Sequence, residues 1–423
     1  MEKIPGAGAT SRYLFNVPAL TVLICGGLQT LPLAAQSLDP AVSQRDTINI
    51  SSGYFSKDYA NNVDYAQTVL DESRAVERLS MLGYEKYADN LSSWGSRGAY
   101  FVGTNLVTML SNLRLTYHEW GHASRTVAMG GTASFSNCLG DNKWCAAPRD
   151  FFGYAGSQLF HFGGGGATHS PDTLTGNADS GKAVKNIMNG GGVNNEMQVS
   201  DKLGEQHFLR GTGSVFSQWA QWGQQAIVTY GVDGPSDDMT AVASQYRSTG
   251  VDTQIQKSDL RRINQLSLIS GSTVTAVMAS YDFIVNGKAN AKPWTVGGFL
   301  VPNQYNYLSS RGITRKWVSG YEWNDSTKLL GSYEYVVRGD SFTEPGLGIY
   351  KNFGEWDALV KVSGKTMGWA NIETAFSKRL NNNWKLTATA YEWDSRSLMG
   401  ERNSLNLSNN KTRQGSIGVA YEY

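Results

Sequence analysis

The sequence predicts an α+β fold in which a helical region is followed by, or enclosed in, an antiparallel transmembrane β-barrel of at least eight strands. Two observations lead to this prediction. Up to about residue 295 the apolar side chains recur at helical spacing, and glycine runs separate the segments. From residue 296 to residue 423 they alternate with polar side chains in segments of 9 to 12 residues, with polar turns between the segments.

Residues 1–35 form a predicted signal peptide. Basic residues precede an apolar run that closes on small residues near Ala35, an order typical of a secretory signal. Cys25 lies inside this run, and lipidation there is an alternative that the bulky Ile24 before it disfavours. We therefore expect an exported protein.

Export leaves two cysteines, Cys138 and Cys145, in an oxidising compartment. The sequence between them, Leu139–Asn142, is turn-forming, so we predict a disulfide that closes a short hairpin. The alternative is a pair of zinc thiolates, which fits an exported protein poorly.

The charge balance disfavours a nucleic-acid partner. The chain carries 37 basic and 36 acidic side chains and so presents no net field that would attract a polyanion. After the predicted signal peptide the chain offers no uninterrupted run of about 18 apolar residues, so no membrane-spanning helix is predicted there. The mature chain is therefore expected to be soluble or to cross a membrane by another route.

Residues 36–295 form the predicted helical domain. Its helices are predicted at 62–83, 101–129, 193–208, 213–230, 237–248 and 256–284. Glycine runs at 163–166 and 190–192 indicate loops in which the backbone can approach a neighbour closely or move. Two further stretches, 47–56 and 151–162, are candidate strands.

His118, Glu119 and His122 form an HExxH motif on the predicted helix 101–129. Because a helix repeats every 3.6 residues, two histidines four positions apart project from one face and can bind one ion. The glutamate beside the first histidine is suited to act as general base toward a zinc-activated water. The motif therefore predicts a Zn²⁺ site with Glu119 as the catalytic residue; a pair of surface histidines that bind nothing is the alternative.

A catalytic zinc site takes three protein ligands, so the third must come from elsewhere in the chain. Glu196 follows the glycine run 190–192 on a predicted helix, roughly 75 residues downstream of the motif. With His118, Glu119, His122 and Glu196, the sequence resembles the gluzincin metallopeptidases. This resemblance implies that His118, His122 and Glu196 bind the metal.

The sequence departs from two family patterns around this motif. Arg125 and Ala128 occupy the positions of the glycine and third histidine of metzincins, so that arrangement is excluded. Gluzincins often place an aspartate four residues after the third ligand, where it holds a zinc histidine. Ser200 stands at that position here, and Asp201 follows one residue later, on a different face of a regular helix.

Other residues remain alternatives for the third ligand. Three are histidines, namely His161, His169 and His207. A fourth is a distal aspartate such as Asp179, in the manner of the intramembrane site-two proteases that share the pattern HExGHA. The group that would stabilise an oxyanion stays unassigned among His207, Tyr117 and Arg125.

Residues 296–423 form the predicted outer-membrane β-barrel strands. The strands are predicted at 297–308, 312–323, 328–338, 345–353, 356–365, 367–378, 383–394 and 412–423. Their length matches the roughly 9 to 11 residues that a tilted strand needs to cross a bilayer, and it exceeds the five or six residues of an ordinary strand. A soluble sandwich or lipocalin-like barrel is the alternative.

The last segment, Ile417–Tyr423, alternates and ends on an aromatic residue. It resembles the closing strand of bacterial outer-membrane barrels, over about the last 130 residues of the chain. The resemblance implies outer-membrane lipid and the barrel assembly machinery as partners. With a periplasmic C-terminus, the short turns at 324–327, 353–355 and 380–383 would be periplasmic, and the polar loop Ser395–Lys411 would be external.

Together these features predict a zinc-dependent metallopeptidase of the bacterial outer membrane that hydrolyses protein or peptide substrates. Its metal site is expected to face the periplasm or the barrel interior. One alternative is a non-catalytic outer-membrane barrel or assembly protein whose motif helix is a relic or a structural metal site. Another is a soluble secreted protease.

Overall fold

The structure is a computed structural model, which describes residues 47–54, 80–110, 118–119, 121–123, 125–126, 133–135, 145–146, 167–169, 188–225, 238–364, 371–381, 384–394, 397–404 and 411–422. It has the predicted α+β composition, with a large antiparallel sheet and a helical region. The predicted signal peptide, Cys25, Cys138 and the candidate strand 151–162 lie outside the described residues. Cys145 begins a short strand.

The described strands are β1 (Thr47–Tyr54), β2 (Ala133–Phe135), β3 (Cys145–Ala146), β4 (Ala167–His169), β5 (Gly213–Ser214), β6 (Asn290–Ala291), β7 (Thr295–Val296), β8 (Phe299–Leu300), β9 (Asn303–Ser309), β10 (Gly312–Asn324), β11 (Thr327–Gly339), β12 (Thr343–Asn352), β13 (Trp356–Ser363), β14 (Asn371–Arg379), β15 (Trp384–Asp394) and β16 (Lys411–Glu422). Eleven of them form one sheet, in the order β1-β16-β15-β14-β13-β12-β11-β10-β8-β7, and β9 also pairs with β10. Two small sheets, β3-β2-β4 and β5-β6, complete the set.

The strand predictions are confirmed, because each of the eight predicted segments overlaps an observed strand of the main sheet, although the segment 297–308 is divided between β8 and β9. The candidate strand at 47–56 is confirmed as β1, which pairs antiparallel with β16. Among the described strands, however, β1 and β7 are the two ends of an open path. Closure into a barrel is therefore not confirmed.

The outer face of the sheet is apolar and its inner face is charged, which is the reverse of a water-soluble sheet. On β12 and β14 the outward positions hold apolar side chains, with Leu347 62% exposed and Ile372 42% exposed. The alternate, inward positions hold charged side chains, with Glu344 3% exposed and Glu373 4% exposed. Since side chains alternate between faces along a strand, each strand carries both patterns.

Aromatic side chains gather at one end of the sheet. Trp323, Phe353, Trp356 and Trp384 all lie at or beside the tight turns that join β10 to β11, β12 to β13, and β14 to β15, and all are exposed. The Lys378 ammonium lies 4.7 Å from the ring centroid of Trp356. This end of the sheet, which we call the aromatic end, is thus rich in amphipathic rings.

The described helices with defined bounds are α1 (Trp94–Leu110), α2 (Gly191–Arg210), α3 (Val215–Gln225), α4 (Asp238–Thr249), α5 (Lys257–Leu266), α6 (Gly271–Asn286) and α7 (Leu398–Ser404). A 3₁₀ turn at Ala88–Leu91 precedes α1, and residues 80–87 are helical as well, which confirms only the end of the helix predicted at 62–83. Residues 62–79 lie outside the described part of the chain.

Helix α2 packs against the charged inner face of the sheet. Lys361 on β13 pairs with Glu205 at 2.9 Å, and Lys316 on β10 pairs with Asp201 at 2.5 Å. An apolar cluster of α2, α4 and β9 side chains completes the contact, with Met197 and Tyr246 fully buried. Both apolar packing and buried ion pairs therefore fix α2 to the strands.

The predicted helix 256–284 is two helices instead of one. Helix α5 ends at Leu266, and α6 starts after Ser270, which has an extended backbone. The Ser270 hydroxyl oxygen accepts a hydrogen bond from the Ser272 N–H at 3.3 Å. An extended N-cap residue cannot continue the preceding helix, and this produces the break. Among the described residues no single helix has the length and apolar character of a membrane span, whereas the pair α5–α6, bent by 55°, passes the same test.

Candidate metal centre

The described residues of the HExxH motif are helical, as predicted. His118, Glu119 and His122 are all buried, and the two imidazole centroids lie 4.8 Å apart. The spacing of four residues therefore brings both rings to one side of the motif helix, which consists of the described helical residues between 118 and 126.

The Nε2 atoms of the two histidines point at a common location. They lie 3.1 Å from each other, and the Oδ2 atom of Asp238 lies 2.7 Å from that of His118 and 3.0 Å from that of His122. His118, His122 and Asp238 form a group whose potential ligand atoms all lie within 4.8 Å of one another. Two imidazole nitrogens and one carboxylate oxygen thus converge.

The other nitrogen of each ring has an acceptor of its own. Nδ1 of His118 lies 3.1 Å from Oε1 of Glu196, and Nδ1 of His122 lies 2.7 Å from the carbonyl oxygen of Met188. Each acceptor favours a hydrogen on Nδ1, because a carboxylate or carbonyl oxygen can only accept. The Nε2 lone pairs are then directed at the common location, as in zinc sites whose histidines are oriented from behind.

Glycines allow the motif helix and α2 to cross closely enough for these contacts. A Cβ atom on Gly121 would lie 2.3 Å from the carbonyl oxygen of Gly191, and one on Gly192 would lie 2.3 Å from Nε2 of His118. Any side chain at these positions would separate the helices. Gly191 and Gly192, which the sequence prediction placed in a loop, are the first residues of α2 instead, and they allow the close backbone approach.

Asp238 reaches the histidines from the first turn of α4. Val242, Ala243 and Tyr246 anchor this helix in the apolar core, and the Tyr246 hydroxyl donates to the carbonyl oxygens of Ser309 and Gly312 at 2.8 and 3.1 Å. The Asp238 side chain is 32% exposed, in contrast to the two buried histidines. The group is therefore open to solvent on the side of Asp238.

Burial and charge act in opposite directions on these residues. Burial lowers the pKa of His118, but hydrogen bonds and charges from Asp238 and Glu196 outweigh it and leave this pKa well above 6.5. The pKa of His122 is also raised, because the charge and hydrogen bond of Asp238 outweigh burial, with a further contribution from Glu119. Burial raises the pKa of Asp238, yet the two histidines hold it well below 3.8. The three shifts share one main cause, the close approach of the Asp238 carboxylate to both imidazoles.

The donor set fits a zinc ion. Two donors of a tetrahedral zinc site, each about 2.0–2.1 Å from the ion, lie about 3.3 Å apart. The corresponding separations here are 2.7, 3.0 and 3.1 Å, so an outward movement of a few tenths of an ångström would admit the ion. Within the described residues the group supplies three protein donors, which leaves one position of a tetrahedron open.

The structure separates the sequence-predicted residues into two roles. His118 and His122 belong to the convergent group, and Glu119 is buried next to them. Glu196, predicted as the third ligand, contacts the Nδ1 side of His118 and lies outside that group. Asp238, which the sequence prediction did not name, occupies the Nε2 side instead.

The other residues considered as ligands or as orienting and oxyanion groups lie away from the convergent group or outside the described residues. Asp201 pairs with Lys316 and accepts from the Tyr307 hydroxyl at 3.1 Å, so it does not orient a histidine of the group. His207 contacts Gln221 at 3.0 Å and Ser217 through its two ring nitrogens. His161, Asp179, Tyr117 and the side chain of His169 lie outside the described residues.

Arg125, one of the oxyanion candidates, is fully buried on the motif helix. Its Nη1 donates to the carbonyl oxygen of Gly121 at 2.7 Å. This contact ties the guanidinium to the backbone at the helix crossing.

No family model, curated protein or solved structure matches this chain. Its function is therefore inferred from the residues of the site and from the two faces of the sheet.

Proposed function

We propose that this protein is a zinc-dependent peptidase in which His118, His122 and Asp238 bind the metal and Glu119 is the general base. The observation that carries the proposal is the convergence of the two Nε2 atoms and Oδ2 of Asp238, with each Nδ1 held from behind. Asp238 thereby takes the role that the gluzincin resemblance gave to Glu196. Glu196 becomes a positioning residue for His118.

Zinc, when bound, supplies a Lewis acid that polarises a scissile carbonyl and brings the pKa of a water molecule toward neutrality. Glu119 takes the proton of the attacking water and passes it to the leaving amine. Glu196 and the Met188 carbonyl hold the two imidazoles in the tautomer that binds metal. The exposed side of Asp238 is the side from which a polypeptide reaches the group.

The enzymatic proposal is tested with purified full-length protein. We expect one zinc ion per chain by elemental analysis and cleavage of quenched-fluorescence peptides. Glu119→Gln should keep the zinc and lower kcat/KM by roughly 10²–10⁴-fold, the usual contribution of a general base. The matched control is Glu355→Gln, the same change at an exposed turn residue of the aromatic end, which should leave both values unchanged. A metal-free protein, or full activity in Glu119→Gln, would refute the proposal.

The same variants separate catalysis from a purely structural metal site. A structural ion contributes folding free energy but needs no base, so Glu119→Gln would be silent and His118→Ala would unfold the protein. Among the described residues the group supplies three protein donors, and this number favours the catalytic case, because structural zinc sites are closed by four protein ligands.

We further propose that the main sheet is a β-barrel wall in a bacterial outer membrane. Exposed apolar and buried charged side chains alternate along the strands, as they do in barrels whose outer face meets lipid. Rings at the aromatic end match the aromatic girdle at a membrane–water interface. Outer-membrane lipid and the barrel assembly machinery would then be partners, besides the peptide substrate.

Membrane fractionation tests this part independently of zinc. The protein should sediment with outer membranes, resist extraction by carbonate, and migrate differently on gels before and after boiling. Recovery in the aqueous phase with no heat-modifiable mobility would contradict the membrane proposal and leave the zinc proposal standing.

A further inference from the structure

Helix α2 runs along the sheet from one end of the strands to the other. Near its start, the Asn194 side chain donates to the Leu308 carbonyl and accepts from the Leu308 N–H, each at 2.7 Å. Near its end, the Lys328 ammonium donates to the carbonyl oxygen of Phe208 at 2.6 Å. Leu308 pairs with Ile313 at the start of β10, whereas Lys328 pairs with Glu322 close to the aromatic end.

The lengths of the two elements agree with this course. Asn194 and Phe208 are 14 residues apart, which corresponds to about 21 Å of helix at 1.5 Å per residue. Ile313 and Glu322 are nine residues apart on β10, or about 30 Å of strand, and a strand tilted by about 45° rises roughly 21 Å over that distance. In the proposed barrel, whose strands would tilt by about this angle, helix α2 would therefore lie close to the barrel axis.

The metal centre belongs to the start of α2 and so to the end opposite the aromatic end. Glu196 is two residues after Asn194, and Gly191 and Gly192 contact the motif helix. Helix α4, which carries Asp238, is tied by Tyr246 to the β9–β10 hairpin at that same end. Helix α2, which carries Glu196 against His118, and helix α4, which supplies Asp238, are thus both fixed at the β9–β10 hairpin end.

The two ends of the sheet differ in their connections. At the aromatic end the turns are the short segments 325–326, 353–355 and 380–383. At the other end, β9–β10 and β11–β12 are joined by the short segments 310–311 and 340–342, but the two long connections are also there, 364–370 between β13 and β14 and 395–410 between β15 and β16. Outer-membrane barrels keep short turns in the periplasm and longer loops outside the cell.

We propose that the metal centre faces the cell exterior, so that its substrates are extracellular polypeptides. This inference rests on the proposed outer-membrane barrel and zinc site. It replaces the sequence-based expectation of a metal site facing the periplasm or the barrel interior. The short turns and the aromatic end then lie in the periplasm, and the solvent-exposed side of Asp238 opens toward the medium.

The orientation is tested by labelling two variants, each with one added cysteine, on intact cells with a membrane-impermeant maleimide. Thr253→Cys lies in an exposed loop on the metal-centre side. The preceding residue, Asp252, pairs with Arg338 near the end of β11. Asp325→Cys lies in the exposed turn between β10 and β11. We expect Thr253→Cys to label on intact cells and Asp325→Cys to label only after the outer membrane is permeabilised. The wild-type chain measures background labelling of its own cysteines.

A second readout uses quenched-fluorescence peptides coupled to beads that cannot enter the cell. Intact cells carrying the wild-type protein should cleave them, and cells carrying Glu119→Gln should not. Labelling of Asp325→Cys on intact cells, or failure of Thr253→Cys to label there, overturns the orientation. Loss of the zinc proposal alone would look different, since the labelling pattern would persist while both the purified protein and the intact cells lacked cleavage.

Discussion

Substituting Gly121 with alanine should weaken zinc binding by separating two helices rather than by touching a ligand. The new Cβ atom would lie 2.3 Å from the carbonyl oxygen and 2.7 Å from the carbonyl carbon of Gly191. An ordinary contact begins at 3.4 Å, so the helices must move apart by about 1 Å. The opposing atoms are the Gly191 backbone and the Cβ atom of Asn195, and no side-chain rotation moves either.

The free-energy change follows from two opposing effects. Overpacking of this kind costs about 1–3 kcal/mol, while replacing a glycine inside a helix returns about 0.5–1 kcal/mol. A net destabilisation of roughly 0.5–2 kcal/mol is expected. A shift of about 1 Å also loosens the Glu196 contact with His118, and loss of such an orienting contact lowers metal affinity about 10–100-fold.

Zinc affinity is measured by competition with a chromophoric chelator, and stability by denaturant titration of the detergent-solubilised protein. Gly103→Ala is the matched control, because Gly103 lies on α1 with no atom within 4 Å of its hypothetical Cβ. That variant should keep wild-type zinc affinity and gain slightly in stability. Wild-type zinc affinity and stability in Gly121→Ala would refute the close-crossing explanation of the site.

Three further predictions concern the ligands, the protons and the sheet. Asp238→Ala should lose stoichiometric zinc, whereas Glu196→Gln should keep zinc with about 10–100-fold weaker affinity. Elemental analysis and chelator competition measure both effects. The reverse pattern would restore Glu196 as the ligand. The raised pKa of His118 means that the metal-free protein holds this proton to a higher pH than a free imidazole does, so zinc uptake should release protons and tighten as pH rises through that pKa. Calorimetry in two buffers of different ionisation enthalpy measures this release, and zero release would contradict the assignment. Leu347→Arg on the outward face should reduce assembly into the membrane, since arginine at the bilayer midplane costs about 2–4 kcal/mol. Leu347→Met is the control. Equal amounts of both variants in the outer-membrane fraction would argue for a soluble sheet.

The strands were predictable because their signal is local. Each strand shows a period of two over its own length, and observed bounds such as Gly312–Asn324 and Trp384–Asp394 differ from the predicted ones by only a residue or so. The break before Gly271 was less visible, because the apolar spacing continues across it. It depends on the Ser270 cap and on a hydrogen bond from the Gly271 N–H to the Pro302 carbonyl, and the latter is a long-range contact.

The residues of the metal site, too, were predictable only where their signal is local. The spacing of His118 and His122 is a local helical property, so the sequence was enough to pair them. Asp238 is 116 residues from His122, and its position depends on how α4 packs against β9. The one available signal was the HExGHA pattern, which suggested a distal aspartate but did not identify which one. Glu196 was named as a metal ligand on the gluzincin resemblance, and it contacts His118 through Nδ1 instead; the sequence does not specify which ring nitrogen a carboxylate on another helix reaches.

The zinc site itself is tested most directly by anomalous diffraction at the zinc absorption edge from crystals of the purified protein. The proposed function predicts one strong peak about 2.0–2.2 Å from Nε2 of His118, Nε2 of His122 and Oδ2 of Asp238, with Glu196 still bonded to Nδ1 of His118. A peak bonded to Glu196 in place of Asp238 would contradict the ligand set, and no peak at the two histidines would contradict a zinc centre altogether.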